Sequence, residues 1–220
     1  MNTAIPSLPT SAGEKKIVPD FRGSLCFAGN EAAFCQALAA AIGQRTGEPV
    51  TFHYAEIGIG NGGTLRAVAA WLAQYPGLKP ILHAVDLPRY AGDAFNPAVM
   101  GTALAIIRPA LVGSREFFRT NHHQLDFVFI DACHGYPCAQ ADFLDAENHV
   151  RPGGVIAFHD TDPQSQGQHP QPHCGTGIDV RRAVSDLGLL NNTRPGWKKI
   201  GETYGNKLRG GHGCLFVRRL

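Results

Sequence analysis

The chain lacks an excess of charge of either sign: 20 Lys and Arg residues stand against 18 Asp and Glu, a formal net charge of +2 with neutral histidines. So small a balance argues against a nucleic-acid or membrane surface, which needs a basic field. It lacks a long apolar run as well. The longest, around Ala37–Ile42, is far too short to span a bilayer. The opening segment MNTAIPSLPTSAGEKKIVPD has no basic start followed by an apolar core, so it does not read as a secretory signal and a cytoplasmic location is expected. The six cysteines (Cys26, Cys35, Cys133, Cys138, Cys174 and Cys214) show no paired C-x-x-C spacing. Reduced thiols are the plainer expectation than a disulfide framework. No internal repeat is apparent.

What the sequence does hold is enough for one domain. Its 220 residues are 44% hydrophobic and only 17% charged, which supports a well-filled core. Residues 1–22 are proline-rich and aperiodic and are expected to form a flexible N-terminal arm, with residues 23–220 as the single domain. The arm makes a homodimer the assembly to test.

Strand and helix signals then alternate. An alanine-rich helix is expected from Glu31 to about Gly43, a buried strand over 51–59, and a helix over Thr64–Leu72. A second strand at Ile81–Asp86 precedes a helix at Pro97–Ile107 and a short strand near Ala110–Val112. LDFVFID (125–131) is the clearest strand. A helix at Gly135–Val150 follows, then a turn at Pro152-Gly153-Gly154 into the strand VIAFH. Residues 161–176 read as an exposed loop, Ile178–Leu190 as a helix, and Trp197–Ile200 and Cys214–Arg218 as strands. This alternation predicts an α/β fold, a mostly parallel sheet with helices on both faces.

Two constellations carry chemistry. The first is Glu56-Ile57-Gly58-Ile59-Gly60-Asn61-Gly62-Gly63, where a strand ends and a helix opens. Glycines there permit a tight turn and close backbone approach to a ligand. The G-x-G-x-x-G spacing also satisfies the dinucleotide fingerprint. Glu56 tips the balance: a carboxylate is a poor neighbour for a pyrophosphate and a good one for an ammonium group. Asp86, ending the second strand, is placed for ribose hydroxyls. A glycine turn needed only for strand–helix packing is the plain alternative.

The second is Asp131, His134, His159 and Asp160. Strands 125–131 and 155–159 both end on acidic or imidazole side chains, and in an open parallel sheet such ends line the ligand crevice. Two carboxylates in one cleft favour a divalent cation; magnesium suits oxygen ligands, and ligation by His159 would shift the choice to manganese, iron or zinc. Asp131 and His134 are the candidate catalytic residues, His134 as a general base. The plainer alternatives are that Asp131 caps a helix, His159 bonds a carbonyl in the core and His134 is an ordinary surface residue.

EIGIGNGG, AVDLPRY, DFVFIDACHGYPCAQADF and RPGGVIAFHDTD together resemble the class I S-adenosylmethionine (SAM)-dependent methyltransferases, nearest the metal-dependent O-methyltransferases of small hydroxylated molecules and sugars. The resemblance covers about residues 50–190. It implies a Rossmann-like sheet of seven strands with the last one antiparallel. It implies SAM held by Glu56, Gly58, Gly60, Asn61, Gly62 and Asp86, a divalent cation held by Asp131, His159 and Asp160, and a small-molecule hydroxylated acceptor. His134 occupies the place of the base in the sugar-modifying relatives, and His159 departs from the acidic pair of the metal-dependent ones. The rival readings are an NAD(P)-dependent Rossmann oxidoreductase, a metal-dependent hydrolase using the Asp/His cluster, and a non-catalytic SAM-binding module.

Overall fold

The computed structural model describes residues 30–44, 50–92, 94–167, 174–175, 177–205 and 213–220. The expected N-terminal arm, Cys26, and His169 and His173 of the 161–176 loop lie outside the described residues.

Seven strands form one sheet in the order β3-β2-β1-β4-β5-β7-β6: β1 (Val50–Ile57), β2 (Leu78–Val85), β3 (Ile107–Ala110), β4 (Leu125–Ile130), β5 (Val150–His159), β6 (Trp197–Thr203) and β7 (Cys214–Arg219). β1 to β5 pair in parallel, and β7 runs antiparallel between β5 and β6. Strand order reverses between β1 and β4, the place where an open α/β sheet leaves a crevice at its carboxyl edge.

The sheet is coated on both faces because its strands alternate in what they bury. Phe52, Tyr54, Phe127, Phe129 and Phe216 pack on one side with α1 (Glu31–Ile42) and α2 (Gly63–Leu72). Phe34 of α1 sits edge-on to Phe127 and Phe129 at 5.3 and 5.2 Å. Ala55, Ile57, Val128, Ile130, Ile156 and Phe158 pack on the other with α4 (Ser114–Thr120), α5 (Tyr136–Ala146) and α6 (Val180–Asp186).

Five local features differ from expectation. The helix expected over Pro97–Ile107 is an α-turn only at α3 (Pro97–Met100), where Asn96 caps the amide of Ala98. Gly101 at φ +52° ends it, and Gly101–Ile106 continues as a 3-10 helix. The adjoining strand therefore starts at Ile107, not at Ala110. α4 was not signalled, since seven residues are too few to display a helical period. Pro152-Gly153-Gly154 lies inside β5 rather than before it: Leu125 pairs with Val150 but Phe127 with Val155, so these residues form a bulge, where proline and glycine are tolerated. α6 stops at Asp186 because the chain turns through Gly188 at φ +76°.

Near the other edge His53, His83 and His123 stack, with ring centroids 5.5 Å apart for the first two and 4.6 Å for His53 and His123. Burial, then the charges of His53, His123 and Arg108, push His83 down to about 4. A histidine depressed in the folded state adds stability that is complete above its unfolded pKa of about 6.5 and is lost as pH falls toward 4. His83→Gln should shrink the stability advantage of the wild type by about 2–3 kcal/mol between pH 7 and pH 4. Urea unfolding of both proteins across that range measures it; a pH-independent difference would rule this linkage out.

Candidate active site

The glycine loop continues the sheet beyond its strands. The Gly58 amide donates to the Val85 carbonyl at 2.8 Å, and the Asp131 amide donates to the Ile57 carbonyl at 2.8 Å. These bonds hold the ends of β1, β2 and β4 together. Gly58, at φ +87°, has no room for a side chain: a Cβ there would lie 2.4 Å from the Asp131 carbonyl oxygen and 2.6 Å from the Ala132 Cα. A close approach to the β4 loop therefore requires glycine at this position. Gly60, at φ +49°, faces open space. Gly62, at φ +76°, precedes α2, and the Asn61 side chain accepts from the Gly63 amide at 3.1 Å, turning the chain into that helix.

Asp86 follows β2, and its carboxylate holds the loop from beneath. Oδ2 accepts from the amides of Ile59 and Gly60 at 3.0 and 3.3 Å, and Oδ1 accepts from Leu87 at 2.7 Å. Glu56 is buried on β1, where the Tyr54 hydroxyl donates to its Oε2 at 2.8 Å. Burial pushes its carboxyl well above the usual range against the opposing effect of that hydrogen bond, and the charges of Asp131 and Asp86 add to the rise.

A cavity of about 740 Å³ opens outside these strand ends, within the range of small-molecule sites. Gly58, Gly60 and Asp86 line it from β1 and β2, and Asp131, His134 and Asp160 from β4 and β5. Glu56, Asn61, Gly62 and His159 are not among the lining residues. Glu56 lies behind the loop, on the α1–α2 side of the sheet.

The four residues of the second constellation do converge. His159 Nδ1 stands 2.8 Å from Asp131 Oδ1 and 3.4 Å from Asp160 Oδ1. The His134 Nδ1 contacts the Asp160 carboxylate, and its Nε2 lies 3.9 Å from Asp131 Oδ1. One donor atom from each of Asp131, His134 and His159 falls within 4.8 Å of the others. Asp131 does not cap a helix, since Gly135 precedes α5. His134 is largely buried; burial pulls its pKa down, but the carboxylates of Asp160 and Asp131 outweigh that and leave it above the ordinary value.

Asp160 adopts φ +57°, a left-handed conformation uncommon for a residue with a side chain. The neighbouring loop fixes it there. Gln166 Nε2 donates to the carbonyls of Asp160 and Asp162 at 3.0 and 2.7 Å, and its Oε1 accepts from the Arg181 amide at 3.0 Å. Arg181 also binds the Thr161 carbonyl at 2.9 Å and Glu202 at 2.8 Å. Sequence reasoning missed Gln166 and Arg181, because they act through a loop with no periodic signal. Tyr54 was open to detection: two residues before Glu56 on a strand, it shares that residue's face.

Residues 55–161 match the protein family described as a methyltransferase domain. Among solved structures, the chain is similar to TomG, an O-methyltransferase from Streptomyces achromogenes involved in tomaymycin synthesis and bound to SAM. The identity is 19% and the TM-score 0.62, covering 89% of this chain and 82% of that one. An O-methyltransferase from Bacillus cereus in complex with SAH (S-adenosylhomocysteine) is 16% identical, with TM-score 0.64 over 90% of this chain and 84% of that one. An rRNA methylase from Streptococcus thermophilus aligns at 10% identity and TM-score 0.58, over 86% and 95%. No curated protein matches the chain.

The two loop glycines should respond differently to a methyl group. Gly58→Ala meets backbone atoms that cannot move independently, and about 3 kcal/mol or more of stability should be lost. Gly60→Ala carries only the left-handed conformational cost, about 1–2 kcal/mol. Equal losses in chemical denaturation would show that the Gly58 contact is not the constraint.

Proposed function

We propose that the chain is a class I SAM-dependent methyltransferase and that it methylates a hydroxyl oxygen of a small molecule with help from a divalent cation. The observation that carries this reading is the convergence of the glycine loop with Asp131, His134 and Asp160 on one cavity, with His159 in contact with Asp131 behind its wall. The O-methyltransferases among the structural neighbours support the choice of oxygen.

The donor half would rest on Glu56, Gly58, Gly60, Asn61, Gly62 and Asp86. Bound SAM supplies an electrophilic methyl group on a sulfonium, so the protein's task is orientation and deprotonation of the acceptor. Glu56 suits the amino-acid end, because a cation close by would relieve the burial that otherwise keeps its carboxyl protonated. Asp86 already accepts three backbone hydrogen bonds and keeps lone pairs for hydroxyls at the cavity wall. Gly60, with open space beside it, lets ligand approach the backbone.

Asp131, His159 and Asp160 would hold the cation. Two carboxylates with an imidazole make a mixed oxygen–nitrogen donor set, which fits a divalent metal and favours manganese, iron or zinc over magnesium. When bound, such an ion supplies a Lewis acid that lowers the pKa of the acceptor hydroxyl. His134 would take the hydroxyl proton. Asp160 fixes one ring nitrogen and leaves Nε2 toward the cavity, and the surrounding carboxylates make the imidazole a stronger base than a free one.

Calorimetry with SAH, set against NADH and NADPH, tests the first half. SAH alone should bind, and Glu56→Gln should weaken it roughly 10- to 100-fold, as expected for a charge-assisted contact. Binding of a dinucleotide instead would overturn the reading. For the second half, a panel of hydroxylated acceptors should give turnover that EDTA removes and that Asp131→Asn reduces at least 100-fold. Activity indifferent to both would dispose of the cation. A His134→Ala enzyme with unchanged turnover and pH profile would remove His134 as the base.

A further inference from the structure

Three of the cysteines that lie scattered in the chain meet at the cavity wall. Cys133 follows β4, Cys138 lies in the first turn of α5, and Cys174 comes from the loop after β5. The Cys133 and Cys174 sulfurs are 3.5 Å apart, and all three sulfurs fall within 4.8 Å of one another. All three are half-buried, and Cys133 and Cys138 line the cavity.

We propose that Cys133, Cys138 and Cys174 form a zinc(II) site that fastens the Cys174 loop to the start of α5 beside the candidate active site. A tetrahedral zinc with sulfurs at about 2.3 Å requires sulfur–sulfur separations near 3.8 Å, which the present triangle approaches. Three thiolates select zinc over the hard cations suited to oxygen ligands, and the fourth position remains for water, an imidazole or a bound molecule.

The surrounding backbone holds the triangle. The Asp179 amide donates to the His134 carbonyl at 2.8 Å, and the Gly167 amide donates to the Ile178 carbonyl at 2.6 Å, so Gly167, Ile178 and Asp179 are tied to one another and to the loop after β4. Burial raises the thiols of Cys133 and Cys138; the neighbouring sulfurs add to the rise at Cys138, whereas at Cys133 the contact with Cys138 and the Gly135 backbone oppose it. Zinc binding would release three thiol protons as three zinc–sulfur bonds form, so affinity should rise with pH. This site stands independently of the methyl-transfer reading and uses none of the residues assigned to the oxygen–nitrogen cluster.

Full-length, tag-free protein, reduced and kept anaerobic, is titrated with cobalt(II). One equivalent should produce the near-ultraviolet sulfur-to-cobalt charge-transfer band, which zinc then bleaches. Cobalt held by Asp131 and His159 gives no such band, so the two clusters are distinguished in one spectrum. Cys138→Ser and Cys174→Ser should each weaken the band-forming affinity at least 100-fold, whereas Cys35→Ser, on the buried face of α1, leaves it unchanged. X-ray absorption of zinc in the wild-type protein keeps the test valid if a variant fails to fold; a shell of three sulfurs is expected at about 2.3 Å. A missing band, a band undiminished in either variant, or a shell of nitrogen and oxygen only would overturn the proposal.

Discussion

Backbone packed against backbone at Gly58 is the contact on which the site depends. The Cβ position of Gly58 is taken by the carbonyl of Asp131 and the backbone of Ala132. With no side chain between them, the loops leaving β1 and β4 lie side by side. The hydrogen bonds from Gly58 to Val85 and from Asp131 to Ile57 carry the parallel ladder past the ends of the strands. Asp86 adds the third strand to the same junction by capping the amides of Ile59 and Gly60. The glycine-loop side and the Asp131–Asp160 side of the cavity are thereby fixed to each other at the place where strand order reverses.

Charge then decides what such a junction can hold. Glu56, Asp86, Asp131 and Asp160 bring four carboxyl groups to one sheet edge, with His134 and His159 between the last two. A region this acidic and this shielded from water is poorly matched to a pyrophosphate and well matched to cationic partners. A sulfonium amino acid carries two positive centres, and a divalent ion would neutralise the far cluster. The left-handed Asp160 fits the same logic. Its conformation costs energy and persists because Gln166 and Arg181 bind the carbonyls around it, a pattern common where geometry serves a site.

Much of this was legible from residue order. Strand periods at 51–59 and 125–131 placed β1 and β4 within about two residues, because a strand buried on both faces is a near-continuous apolar run. Glu56, Asp86, Asp131 and Asp160 were found as acidic residues at or just beyond strand ends, a rule of position rather than of contact. What stayed hidden was short or remote. α4 is two turns long, the 3-10 stretch after Gly101 keeps no α period, and the bulge at Pro152–Gly154 looks like a turn when read along the chain. Gln166 and Arg181 reach Asp160 and Thr161 through a loop, and loops carry no repeat from which to infer a partner.

Local chemistry was sufficient to determine the alternation of elements, the carboxyl-edge location of the acidic residues and the placing of a glycine loop beside them. Those properties depend on the period of side chains along a strand and on the few residues able to turn one sharply. Only the folded chain decided why Gly58 must be glycine, which histidine faces which carboxylate, and that Cys174 lies beside Cys133. Such distances arise when residues far apart in the chain are packed at the same edge, and no spacing in a linear sequence encodes them.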